Sequence, residues 1–180
     1  MSKKWNVKML AEGGIMIALA TLLSFIKIYK APQGGSVTAG SMIPIMIFAM
    51  RWGLGPGLLV GCVYGLLQFA IEPYIYHPIQ FLLDYPIAFG CLGLAGIAKM
   101  DDEQLSNNNY FMIVLGVLLA IGGRLISHLL SGVIFFAEYA GDQNPWVYSA
   151  LYNGGYLLPE FIISSIILVL IWKPISKIQK

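Results

Sequence analysis

The residues best suited to chemistry in this chain crowd into one stretch, Arg124 to Tyr156, which reads RLISHLLSGVIFFAEYAGDQNPWVYSALYNGGY. Arg124, His128, Gly132 and Phe136 recur every four residues, so on a helix they share one slowly drifting stripe. Trp146, Tyr148, Tyr152, Asn153 and Tyr156 follow within eleven residues. A base, a guanidinium, an amide and many rings at one end of two helices suit a flat polar ligand, with aromatic walls and a few polar groups to orient it. Taken singly, each ring reads as a membrane-interface residue. Their concentration beside Asn153 favours a pocket, to which Tyr74 adds a ring from another loop.

Two carboxylates belong with this stretch. Asp84 can pair with a cationic ligand, because a carboxylate in a low-dielectric pocket attracts a cation more strongly than in water; the plain alternative is a helix-terminal acid among headgroups. Glu160 lies at the depth of Arg124 in the next apolar run, so the sequence predicts an Arg124–Glu160 ion pair, with Asp84 as the rival partner. His128 either contacts a ligand or is a satisfied interior histidine.

The elements that must position these groups are membrane spans. The chain has 180 residues, 58% hydrophobic and 11% charged. Soluble domains are about a quarter charged. Six spans of ~20 residues fit this length and leave no separate soluble domain, so we expect one integral-membrane domain over residues 1–180, all-α, in a lipid bilayer. The expected spans run from Val7 to Ile28, Val37 to Met50, Leu54 to Ile71, Gln80 to Ala98, Tyr110 to Tyr139 and Trp146 to Trp172. The first continues without a small-residue cleavage site and reads as a retained span. The second is short and carries Pro44. Gly14 and Ala18 stand four apart, as do Gly57, Gly61 and Gly65, spacings that admit close helix packing. Between the first two spans, Pro32-Gln33-Gly34-Gly35-Ser36 breaks helix, and 101–109 is a solvated loop.

Basic residues orient the spans. Lys3, Lys4, Lys8, Arg51, Lys99, Lys173, Lys177 and Lys180 fall on one side and Lys27 and Lys30 on the other, eight against two, so both termini are expected in the cytoplasm. The aromatic loops then face outward. A net charge of +2 gives no case for nucleic acid. No phosphate-binding glycine loop, Ser–His–Asp pattern or metal-ligand spacing occurs. Cys62 and Cys91 read as buried thiols.

Several blocks together resemble the thiamine-specific substrate-capture subunits (S-components) of energy-coupling-factor transporters: PQGGSV with MIPI and RWG, then HPIQFLLDY, then SHLLSGVIFF followed by WVYS and YNGGY. The resemblance runs over nearly the whole chain. It implies six helices in a bacterial cell membrane, an outward thiamine pocket, no cofactor and no ATPase activity of its own. It also implies three partners: a membrane-embedded coupling subunit and two cytoplasmic ATPases. Carried over position by position, it marks Asp84, Tyr85, His128, Gly132, Phe136, Tyr148 and Asn153 for ligand binding, and Gly14 with Ala18 for the coupling subunit. Some members have Trp where this chain has Phe136, Glu where it has Asp84, and Trp in the first outer loop. The remaining readings are a capture subunit for another vitamin, a proton-coupled transporter of a small cation relaying through Arg124, His128 and Glu160, and an intramembrane enzyme.

Overall fold

The computed structural model describes residues 6–98 and 110–178. Lys3, Lys4, Lys99, Lys180 and the 101–109 loop lie outside the described residues, as do the side chains of Lys173 and Lys177. Among the described residues five helices are long and apolar enough to cross a membrane: α1 Val7–Ser24, α3 Leu54–Ile71, α4 Pro78–Ala98, α5 Tyr110–Phe135 and α6 Pro145–Ile178, whose apolar part is Pro145–Trp172. A sixth, α2 Ile43–Trp52, has ten residues. At 1.5 Å per residue it is about 15 Å long, half the hydrocarbon thickness. It compensates by burying nearly every side chain, including Ile45, Met46, Phe48, Ala49 and Met50, as a helix apolar on all sides must.

The all-α expectation fails in one place. The first helix ends at Ser24 rather than Ile28, and Val37 belongs to a strand rather than to the second helix. Lys27–Lys30 (β1) and Ser36–Thr38 (β2) pair antiparallel, with Tyr29 opposite Val37 and Lys30 opposite Ser36. The physical reason is local: Ile26 and Ile28 alternate with Lys27 and Tyr29 at period two, and a Pro-Gln-Gly-Gly turn follows. Gly35 holds φ +83°, and a Cβ there would lie 2.6 Å from the Tyr156 ring, so only glycine lets the hairpin tip rest on α6.

The glycine stripe of α3 packs inside the protein. A Cβ on Gly65 would meet the Tyr85 carbonyl at 2.5 Å, and one on Gly57 would meet Gly93 Cα at 3.0 Å, so α3 and α4 touch backbone to backbone. Along α4 the helix widens into a π turn over Leu83–Ile87, which contains Pro86. Proline has no N–H to give the regular ladder, and such turns re-aim neighbouring side chains. At the other end of the bundle, Arg51 pairs with Glu12 at 3.0 Å and ties α2 to α1.

α1 carries two small faces. Gly13 is buried, and a Cβ there would lie 3.2 Å from Val60. Gly14 and Ala18 are exposed, with nothing within 4 Å of a Cβ built on Gly14.

Glu72, in the loop after α3, anchors the hairpin from outside. It accepts from Lys27 Nζ at 2.5 Å and Lys30 Nζ at 3.2 Å. The Lys27 hydrogen bond is the main reason its carboxyl titrates below the usual glutamate value of 4.5. A depressed carboxyl adds stability that is present above its unfolded value and lost as pH falls through the folded one. Glu72 and Lys30 are exposed and Lys27 is half-buried, so water screens the pair and the gain is below about 1 kcal/mol. Melting curves of the parent should therefore lie slightly above those of Glu72→Gln at neutral pH, and the gap should close as pH falls below 4.5.

Candidate functional site

At the end of the bundle where α4, α5, α6 and the hairpin meet, Asp84 lies at the centre of a cavity. The cavity is lined by Gln33, Tyr74, Asp84, His128, Ser131, Gly132, Phe136, Tyr139, Tyr148, Ser149, Tyr152 and Asn153. Seven of the nine residues marked for binding in the sequence are among them. Its volume is about 70 Å³, well below the several hundred of an open ligand pocket, because the hairpin tip leans across its mouth.

Asp84 is surrounded by donors. Its Oδ1 lies 3.0 Å from His128 Nδ1, and its Oδ2 accepts from Ser131 Oγ at 2.9 Å and from Gln80 Nε2 at 2.7 Å. A carboxylate offers about four acceptor positions, so one remains for a ligand. Regular helical spacing supplies the partners: Gln80 and Asp84 are four apart on α4, His128 and Ser131 three apart on α5. The Asp84 side chain is 18% exposed and that of His128 11%.

Behind His128, Arg124 Nε donates to Nε2 at 3.2 Å. Its guanidinium also covers the Phe89 ring at 4.1 Å and reaches Met42 Sδ. The Arg124–Glu160 ion pair expected from the sequence does not form among the described residues. Glu160 turns to the hairpin instead, where its Oε1 accepts from Thr38 N at 2.5 Å and Thr38 Oγ1 at 2.7 Å. The unforeseen β2 strand brings the Thr38 N–H and hydroxyl to α6, and these two donors take the carboxylate. The same geometry separates Glu160 from Arg124 and His128, so the three form no continuous hydrogen-bonded relay.

Rings make the walls. Phe136 lies 6.0 Å from Tyr74, 5.6 Å from Tyr76 and 6.1 Å from Tyr139, centroid to centroid. Tyr148 and Tyr152 stack at 6.1 Å on the other side. Gly132 makes room: a Cβ there would collide with the Ser149 hydroxyl. Asn153 is 7% exposed, and its amide is fixed by Ser149 and by the Tyr156 hydroxyl at 2.6 Å.

Tyr85 and Trp146 do not line the cavity. Within the π turn Asp84 faces α5, and the next residue, Tyr85, faces α3. There it packs on Phe69 at 5.1 Å and donates to the Glu72 carbonyl at 2.9 Å. Trp146 stands at the first turn of α6, 51% exposed, with its backbone N–H capped by Asn144. Sequence reasoning missed Gln33, Ser131, Tyr139 and Ser149 as lining residues, and weighed Tyr152 only as one ring among several. Ser131 and Ser149 were within reach of helical spacing, three after His128 and four before Asn153. Gln33 had no such signal, since its place depends on the hairpin.

The hairpin tip is clasped to α6 chiefly by the Tyr152 hydroxyl, with Tyr148 Oη donating to Gln33 Oε1 at 3.5 Å. Tyr152 Oη accepts from Gln33 N at 2.9 Å and donates to the Gly34 carbonyl at 2.7 Å. Each such bond contributes about 1 kcal/mol net. In Tyr152→Phe, the Gln33 amide should exchange with solvent about tenfold faster, read by hydrogen-exchange mass spectrometry. An unchanged rate would mean that the tip is held by something else.

Fold and site together define a polytopic helical membrane protein with a small-molecule pocket at one end of its bundle. The sequence profile of the thiamine transporter protein family matches residues 10–180, and the chain belongs to that family. It is 34% identical to the thiamine transporter ThiT of Bacillus subtilis over 189 aligned residues, covering 100% of this chain and 98% of that one. ThiT of Lacticaseibacillus paracasei is 28% identical, over 93% of this chain and 88% of the relative. A solved structure of ThiT from Listeria monocytogenes superposes with a TM-score of 0.83 at 26% identity, covering 95% of this chain and 96% of that one.

Proposed function

We propose that this protein captures thiamine at the outer face of a bacterial membrane and delivers it inward with an ATP-driven coupling module. One observation carries the reading: among the described residues a single carboxylate, Asp84, lines the aromatic cavity, with three donors fixed on it and no Lys or Arg against it. Thiamine brings a cationic thiazolium and a flat aminopyrimidine. The cation sits near Asp84 and over the Phe136 wall, where a cation–ring contact contributes roughly 0.5–2 kcal/mol. The pyrimidine stacks between rings and bonds to Asn153 and Tyr148, while His128 stands at the hydroxyethyl end.

The hairpin is the gate. Its tip swings on Gly34 and Gly35, both at positive φ, and admits a ligand that the present cavity cannot hold. α2 counts as the sixth span, its short length completed by the hairpin, and both termini lie in the cytoplasm. The exposed Gly14–Ala18 face of α1 meets a membrane-embedded coupling subunit, which carries two cytoplasmic ATPases.

The test is thiamine uptake into vesicles. The protein alone should bind thiamine without accumulating it, and accumulation should need the coupling subunit, both ATPases and ATP inside. Accumulation by the protein alone, driven by a proton gradient, would instead establish a secondary transporter.

A further inference from the structure

Gln80 is a buried polar residue that the site as described has used only as one donor among three. It is 0% exposed, lies one helical turn before Asp84, and does not line the cavity. Both ends of its amide are occupied. Oε1 accepts from Tyr76 N at 2.9 Å, and Nε2 donates to Asp84 Oδ2 at 2.7 Å.

The direction of every bond in this network follows from its two ends. A backbone N–H can only donate, so Tyr76 N forces the Gln80 oxygen toward itself and the NH₂ toward Asp84. An arginine guanidinium can only donate as well, so Arg124 Nε forces a lone pair onto His128 Nε2 and the proton onto Nδ1, facing Asp84 Oδ1. Two groups that cannot reverse thus reach Asp84 through two relays, one amide and one imidazole. Each relay accepts at one end and donates at the other. Asp84 is left as the common acceptor, with no cation in direct contact among the described residues.

We infer that Gln80 is a positioning residue that makes the pocket selective for a cation, by linking the Tyr74–Tyr76 wall to the Asp84 carboxylate and fixing that carboxylate as an acceptor. This rests on reading the pocket as a thiamine site. The link also has a mechanical side. Tyr74 and Tyr76 pack on Phe136, and the Tyr76 amide ties their loop to α4, as the Glu72 carbonyl does through Tyr85. A ligand that moves the ring wall thereby moves the donor that aims the charge. Hydrogen bonds to charged groups are about twice as strong as those between neutral groups, enough to govern ligand choice.

The test uses Gln80→Met, which keeps length and loses both polar ends, in the purified full-length protein. Two probes are titrated: thiamine, and its neutral isostere with a thiophene in place of the thiazolium. Thiamine affinity should fall about tenfold or more while the isostere changes less than about threefold, so the preference for the cation collapses. Placed in an Asp84→Asn background, Gln80→Met should add less than about a twofold further loss. Equal losses for both probes, no loss for either, or full additivity with Asp84→Asn would overturn the assignment. Should the variant not fold, the parent protein still decides. The Tyr76 amide lies in a loop, and its exchange should be slowed by the Gln80 bond; free exchange would overturn the network. Failure of the parent to bind thiamine would refute the pocket reading and leave that exchange measurement standing as its own answer.

Discussion

Asp84→Asn weakens thiamine binding by at least about tenfold, or about 1.4 kcal/mol. Two losses combine. The charge that faces the cationic ring disappears, and it sits where a side chain only 18% exposed is poorly screened by water. The new amide also disagrees with its neighbours. His128 Nδ1, Ser131 Oγ and Gln80 Nε2 converge on the carboxylate, and an asparagine offers one oxygen and an NH₂ in place of two oxygens. One donor then faces a donor in a buried site, which costs about 1–3 kcal/mol. The measurement is a thiamine titration of the purified variant. Affinity equal to the parent's would remove Asp84 from the role of charge partner.

Ala18→Trp should leave thiamine affinity unchanged and abolish uptake. Ala18 and Gly14 sit on the open face of α1, while Gly13 on the other face meets Phe48 and Val60. A bulky side chain at Ala18 therefore meets none of the protein's own core and lies on a different helix from the cavity. It would, however, hold a partner helix away from a surface whose small residues permit close approach. Binding is read by titration of the purified protein, and uptake in vesicles containing the coupling subunit and both ATPases. Uptake at the parental rate would show that the partner docks elsewhere.

Much of the fold could be read in the sequence because a bilayer imposes few solutions. Apolar runs long enough to cross become helices, and the Gly57, Gly61 and Gly65 spacing announced a close packing that α4 supplies. The hairpin was hidden because its period-two signal is only a few residues long and sits between apolar runs. Missing it had consequences elsewhere. Glu160 was matched with Arg124 by depth, whereas the backbone of Thr38 claims it. Gln33 reads in the sequence only as part of a helix-breaking loop, although it reaches the cavity.

The site was legible as composition and less so as direction. His128 and Gly132 share a stripe on α5 and reach the same cavity, since a regular helix preserves spacing, and Phe136 joins them from just past the end of the helix. Tyr85 stands beside Asp84 in the chain yet faces α3, and α4 departs from regular helix over Leu83–Ile87. Counting residues gives no account of such a turn. Gln80 escaped notice for a different reason. It does not itself line the cavity, and only the hydrogen bonds at both ends of its amide, one of them to the lining residue Asp84, reveal what it does.

The most direct test of the account is calorimetric titration of the purified protein, without partner subunits, with thiamine. The account predicts saturable binding of one thiamine per chain, lost progressively as rings or charge are removed from the cavity and much weaker for the neutral thiophene isostere. Absence of saturable binding at thiamine concentrations up to about 1 mM, equivalent to less than about 4 kcal/mol of affinity, would contradict it.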